Sequence, residues 1–266
     1  MFQNLFELRK DLQKRQMFLL SIFGGLAMVL VWQLAITAFS IPNGILPTPS
    51  QVSLSFLDLY KNDSIFDNSL YSIKLNVAGY AEAVAVSLPL GFIIGLFPIF
   101  RESTRRPLDA ARFLPIPAMT GLFIVWCGIG DNMKIQFLAF SIAAYLIPAI
   151  IQRIQEVPNV YVDTVRTLSN SKWDVVKSVF IPAGFEAAYE DIRILVAISW
   201  TYIMVAELVN KTGGLGAVLY LAQRQGRMDK VFAVLIIITT IGLIQDKLFK
   251  LMGTFLFPHR TAQGTK

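Results

Sequence analysis

The chain has 266 residues, with 24 Lys and Arg against 18 Asp and Glu, a formal net charge of +6. It is 55% hydrophobic and 16% charged, where soluble domains carry about a quarter charged residues, and its mean hydropathy is +0.56. Lys and Arg lie scattered between long apolar runs, which describes a multi-pass membrane protein and not a nucleic-acid-binding domain with one basic face. Cys127 is the only cysteine and sits in an apolar run, so intrachain disulfides are excluded and a small buried hydrophobe is expected there. His259 is the only histidine, which excludes a His-based metal cluster or catalytic dyad.

The first apolar run, 17–39, exceeds the ~7–15-residue core of a signal peptide and is expected to stay as a span. Arg9, Lys10, Lys14 and Arg15 precede it and place the N-terminus in the cytoplasm. Trp32 fits either an interfacial anchor or a packed aromatic. A polar outer segment follows, in which Pro42, Pro47 and Pro49 keep the backbone extended. Ser50 is the expected N-cap of a short surface helix reaching Tyr60, with Val52, Leu54, Phe56, Leu57 and Tyr60 as its apolar residues.

The second span, 72–100, carries Ala78, Gly79, Ala81, Ala83, Ala85, Gly91 and Gly95, which would let helices approach closely in lipid. Glu82 within it is a functional-site hypothesis by default, or a group facing protein or water near the interface. After the basic turn RESTRR comes a third span, 108–129, broken or kinked by Pro115 and Pro117. Such breaks need neighbouring protein or a wet cavity, so these prolines either line a pathway or mark kinked packing. GDNMK makes an outer turn before the fourth span, 135–151. The fifth, 192–208, opens on Glu190, Asp191 and Arg193 and ends near Glu207. KTGGLG then makes another outer turn, and the sixth span is 231–251. Arg224, Arg227 and Lys230 in the last outer loop run against the charge asymmetry. The expectation is an all-α polytopic membrane helical bundle, a single domain over 1–266 with about six transmembrane helices and both termini cytoplasmic.

Between spans four and five lies a polar, mildly basic loop, 152–185, with Arg153, Arg166, Lys172 and Lys177 marking it as cytoplasmic. Pro158 suits the first turn of a helix. Val162, Val165 and Leu168 recur at helical spacing, and SNS at 169–171 interrupts them. Ser171 and Asp174 form the S-x-x-D start of a second helix. Trp173, Val176 and Phe180 give it an apolar stripe, and Pro182 marks its end. Two short helices at an angle could present a rigid knob to a groove.

DTVRTLSNSKWDVVKSVFIP resembles the cytoplasmic coupling loop, the "EAA" motif, of binding-protein-dependent ABC importer permeases. Asp163, Thr164 and Val165 occupy the E-A-A positions, Ser169 the glycine position, and Ile181-Pro182 the terminal aliphatic-proline pair. ILPTPSQV, FLPIPAMTGLFIVWCGIGDNMK and VAELVNKTGGLGAVL are similar to runs of the nitrate/sulfonate/taurine/bicarbonate branch. The loop departs from the pattern in lacking both alanines and the glycine. A helix can still end at Ser169-Asn170, because Asn tolerates the left-handed conformation that glycine usually supplies.

The resemblance implies the permease half of an importer in a prokaryotic cytoplasmic membrane, embedded in lipid and paired as a homodimer. It implies ATPase-coupling roles for Asp163, Thr164, Val165, Arg166, Leu168, Ser169, Ile181 and Pro182, docked on a cytoplasmic ABC ATPase. An extracytoplasmic solute-binding protein would deliver a small anionic solute such as a sulfonate, nitrate or taurine. Pro115, Pro117, Trp126, Trp200 and Glu207 are candidates for the translocation path. The chain has no G-x-x-x-x-G-K-[ST], so ATP and Mg would be bound by the partner, and this subunit would not be an enzyme. GGLG at 213–216 follows an apolar helix and not a strand, which argues against a phosphate loop. The competing class is an ion-coupled secondary transporter acting alone. It would need buried mid-membrane charges and inverted repeats, and only Glu82 is a candidate for the former.

Overall fold

A computed structural model describes residues 13–111, 113–169 and 171–258. Arg9, Lys10, Asn170 and His259 lie outside the described residues. The described chain is helical, with no strand among the described residues: α1 Lys14–Ala38, α2 Pro49–Asn62, α3 Ile65–Leu96, α4 Pro98–Ala111, a 3₁₀ turn Ile116–Met119, α5 Thr120–Cys127, α6 Asp131–Gln155, α7 Asn159–Leu168, α8 Lys172–Val175, a π-helical turn Val176–Phe180, α9 Ile181–Val209, α10 Leu215–Arg224 and α11 Met228–Leu256. Five helical stretches are long and apolar enough to cross a membrane. A sixth arises if α4 and the 3₁₀–α5 segment, bent by 90°, count as one broken span. The bend sits where Pro115 and Pro117 remove two backbone donors. The chain forms two compact units, one with α1, α2 and Ala222–Ala233, the other with Ser64–Leu221 and the chain from Val234 onward.

The second unit is built on the α3–α6 pair. Gly79, Ala83, Ser87, Gly91 and Gly95 recur every fourth residue of α3, and all are buried. Leu138, Ile142, Leu146, Ile150 and Ile154 recur likewise on α6. Gly79 meets Leu138, Gly91 meets Ile150 and Gly95 meets Ile154, so the two helices run parallel, a ridge of branched side chains in a groove of small ones. A Cβ at Gly91 would lie 2.7 Å from Ile150, so the approach needs glycine. Of the other small residues expected to pack, Ala78, Ala81 and Ala85 face outward. Glu82 accepts a hydrogen bond from Gln136 of α6 at 3.0 Å and so faces protein. α9 runs antiparallel to α6, joined near one end by Arg153–Asp191 and near the other by Asn210 donating to the Gly130 carbonyl at 3.2 Å.

In the first unit, the N-cap of α2 is Thr48 and not Ser50. Thr48 and Gln51 form a reciprocal capping box and Pro49 takes the first turn, where its missing N–H is no loss. The buried face of α2 is Val52, Ser55 and Leu59, while Leu54, Leu57 and Tyr60 are exposed. Trp32 stacks on Phe232 with ring centroids 5.5 Å apart, a packed aromatic. Arg227 and Lys230, two of the three basic residues that run against the charge asymmetry, are neutralised locally. Arg227 bonds Asp58 at 2.9 Å and Asp229 at 2.7 Å, and Lys230 bonds Asp63 at 2.6 Å and Asp58 at 3.2 Å. Asn62 first, then Arg227 and Lys230, hold the Asp58 carboxyl down to about 2.

Candidate coupling site

The 152–185 loop folds on a small core of its own. Val162 of α7 meets Val175 and Val179, each 6–7% exposed, with Val157, Val165 and Phe180 packed around them. α7 starts after Pro158, which serves as its N-cap in extended conformation. The inward stripe of the following helix is Val175 and Val179. Trp173, expected on that stripe, is 66% exposed, and the outward surface also carries Val160, Tyr161 and Leu168, the last 84% exposed. Asp163, Thr164 and Arg166 are exposed beside them, and Val165 is half-buried against the core.

Ser169 is the C-cap of α7. Its backbone is extended (φ −149°, ψ 138°), a conformation that any side chain tolerates, and its N–H closes the helix on the Val165 carbonyl at 2.9 Å. Its hydroxyl donates to the Asp174 carboxylate and accepts from the Ser171 N–H at 3.2 Å. Ser171 then caps the next helix, accepting from the Asp174 N–H at 3.4 Å. Serine therefore adds hydrogen bonds at the position where the family pattern has glycine.

That second helix does not stop at Pro182. It continues through the π-helical turn into α9 as one run, Lys172–Val209. Pro182 occupies the first turn after the π turn, whose wider winding absorbs the missing donor. Ile181 and Pro182 are exposed. At 1.5 Å per residue the 38-residue run is about 57 Å long, against a hydrocarbon core of about 30 Å. A large part of it must therefore stand outside the hydrocarbon core.

At the far end of α9, Glu207 is fully buried and caps α10. Its carboxylate accepts from the Gly216 N–H and the Ser72 hydroxyl, both at 2.7 Å. The two preceding amides are capped as well: Leu215 N–H by Ser72 at 2.8 Å and Gly214 N–H by Asn68 at 2.8 Å. A Cβ at Gly214 (φ +95°) would enter the Glu207 carboxylate, and one at Gly216 would lie 2.5 Å from the Glu207 Cβ. GGLG thus opens a helix, α10, where a simple turn was expected, and its free amides are satisfied by the chain's own side chains. Lys134, expected in an outer turn, lies in the first turn of α6 and is fully buried beside this cluster. Its ammonium donates to Thr212 at 3.0 Å, Tyr71 at 3.3 Å and the Gly213 carbonyl at 3.5 Å, and Tyr71 in turn donates to Asp131.

The remaining path candidates separate. Pro115, Pro117 and Trp126 are exposed. Trp200 is 5% exposed and donates to Gln245 at 2.8 Å, in a polar chain with Asn76 and Ser199 that ties α3, α9 and α11. Trp200 also borders a cavity of about 700 Å³ between α9 and α11, apolar apart from Arg193, Asp246, Thr201 and Thr239. A second cavity, about 800 Å³ and polar, lies among α4, the end of α6 and Phe180. Pro115, Pro117 and Trp126 line neither. Among the described residues, no three His, Cys, Asp or Glu side chains gather as a metal site requires.

Five to six helical stretches able to span, with a two-helix module between α6 and α9, describe a multi-pass membrane protein. Residues 87–254 match the family of binding-protein-dependent transport system inner membrane components, and the chain belongs to that family, a multi-pass protein of the inner membrane. It is 29% identical over 194 residues to a putative ABC transporter permease protein of Methanocaldococcus jannaschii, covering 72% of each chain. It is 25% identical over 258 residues to the putative aliphatic sulfonates transport permease protein SsuC of Bacillus subtilis, covering 96% of this chain and 92% of that one. Its fold is similar to a chain of the MetNI methionine ABC transporter in an inward-facing conformation, with a TM-score of 0.62 at 15% identity over 71% of this chain and 94% of that one.

Proposed function

We propose that this chain is the permease of an ATP-driven importer, that α7 and α8 dock on a cytoplasmic ABC ATPase, and that the solute is a small organic anion of the sulfonate kind. The observation that carries the reading is the outward surface of the module. Val160, Tyr161, Leu168 and Trp173 are more than half exposed, although the module already has a closed core. Apolar surface of that kind, beside charged residues on a module with its own closed core, calls for a protein groove. Asp163, Thr164 and Arg166 border it and would set the register of docking, Val165 and Ser169 would hold its shape, and Ile181-Pro182 would carry the motion into α9.

With the module in the cytoplasm, both termini lie there too and the Glu207 end faces outward. ATP and Mg would be bound by the partner ATPase, a second copy of this chain would complete the path, and a solute-binding protein would meet the outward end. The full-length match to an aliphatic-sulfonate permease supports the solute class. Pro115, Pro117, Trp126 and Trp200 remain candidates for the path between copies. Glu207 is better explained as the cap of α10 than as a solute contact, since both its oxygens are engaged.

The test is co-purification with an ATPase encoded beside the chain, before and after Asp163→Arg with Leu168→Asp. Loss of ATPase capture and of ATP-driven uptake, with the permease still in the membrane, is the expected result. Undiminished capture and uptake would overturn the docking role. Uptake by the purified chain alone in proteoliposomes would favour a secondary transporter.

A further inference from the structure

The loop that carries the module leaves α6 and returns into α9, and a bidentate ion pair closes its base. Arg153 Nε donates to Asp191 Oδ2 at 2.7 Å and Nη2 to Oδ1 at 2.8 Å. The Asp191 side chain is 14% exposed. The third guanidinium nitrogen donates to Glu156 Oε2 at 3.0 Å, and the other Glu156 oxygen accepts from Gln152 at 2.8 Å. Gln152, Arg153, Glu156 and Asp191 therefore form one network in which both carboxylates are engaged, at the point where the two helices meet the module. Two residues further along α9, Arg193 bonds Glu190 at 2.6 Å and Asp246 of α11 at 2.8 Å, and Asp246 also bonds Lys250 at 2.9 Å. That second cluster ties α9 to α11 and leaves the α6–α9 junction to Arg153 and Asp191 among these charged groups.

Bidentate arginine–carboxylate pairs fix orientation as well as distance. The module is helically continuous with α9, so a push on it can move α9 while α6 lags at the short link 156–158, or it can move α6 and α9 together. We infer that Arg153 and Asp191 are positioning residues that select the second outcome. The pair holds α6 and α9 as one body at the module's base, so that movement of the docked module is transmitted to the spans and not lost in the loop. The valine core keeps the module rigid, and the pair keeps it attached to both helices at a fixed angle.

This inference rests on the proposed coupling role, and the experiment separates the two. The full transporter (permease, ATPase and solute-binding protein) is reconstituted in proteoliposomes, and solute transported per ATP hydrolysed is measured for wild type, Asp191→Asn, and the swap Arg153→Asp with Asp191→Arg. The expected result for D191N is retained ATPase capture and hydrolysis with at least a fivefold fall in transport per ATP, and the swap recovers at least half of the loss. A merely structural pair would lower the amount of assembled transporter and leave the ratio unchanged. A wild-type ratio in D191N, or a swap that assembles with no recovery, overturns the clasp. If D191N fails to assemble, the swap alone decides, a wild-type-like ratio supporting the clasp and a low one overturning it. Absence of ATP-driven uptake by the wild type would instead overturn the importer reading itself.

Discussion

The two ends of the α6–α9 pair solve opposite problems. At the Glu207 end the buried polar groups are matched: three consecutive amides at the start of α10 meet Asn68, Ser72 and Glu207, and Lys134 meets Thr212, Tyr71 and a carbonyl. At the module end the polar groups bond one another along the base, while Tyr161, Leu168 and Trp173 are left uncovered. A closed end of this sort holds a loop in one conformation. An open one is complete only when another protein covers it. Substitutions at the first end should therefore affect folding, and those on the module surface should affect association.

The largest effect is expected from Glu207→Ala. It strands the Gly216 N–H and the Ser72 hydroxyl in a buried site, and the loss is about 3 kcal/mol, measurable as a fall in thermal midpoint in detergent. Glu207→Gln keeps an acceptor and should lose less than half of that. Gly216→Ala is next, at about 2 kcal/mol by the same measurement, because its Cβ would overlap that of Glu207. A neutral result at Gly216 would show that α10 can shift and that the end is less closed than its hydrogen bonds indicate.

On the module the expectation reverses. Leu168→Asp or Trp173→Ala should leave the thermal midpoint within about 0.5 kcal/mol of wild type, as for exposed positions generally. Either should weaken binding of the ATPase by about 2 kcal/mol, near 30-fold, in a titration. If either change lowers stability instead, that surface is covered by this chain's own helices and the contrast between the ends collapses. Ser169→Gly should cost about 1 kcal/mol by removing two hydrogen bonds and freeing the backbone, with no gain in docking.

The smallest effect is a pH dependence in the first unit. Asp58 titrates lower in the folded chain than in the unfolded one, so its contribution is complete above about pH 4 and is lost as pH falls through about 2. Trp32, stacked on Phe232 in the same unit, gives a fluorescence signal for that loss. Asp58→Asn should weaken the acid dependence, the remainder coming from Asp229 in the same cluster, while leaving the signal at neutral pH nearly unchanged.

Much of this was legible in the chain. Apolar runs separated by short polar links set the spans, because a helix in lipid must satisfy its own amides and present apolar side chains outward. The S-x-x-D cap at Ser171 was readable because a helix start depends on neighbours three residues apart. The small residues of the second span marked close packing, but not its face: Gly79, Ala83, Gly91 and Gly95 are buried while Ala78, Ala81 and Ala85 face outward. Span ends were harder. Pro182 looked like a terminator, since local rules carry no information about a π turn that accommodates it. Trp173 looked like core, since its periodicity matched as well as that of Val175.

Local chemistry thus determined the helical class, the membrane location, the loop that interrupts the spans and the two caps within it. These follow from interactions a few residues apart. Tertiary structure decided which face of the module is closed, that Lys134 and Glu207 are buried at the same end, and that Arg153 reaches Asp191 38 residues away. Each of those depends on the register between helices, and register is set by the α3–α6 ridge and groove and by the antiparallel return of α9. The order of residues along one helix carries too little of that information to read in advance.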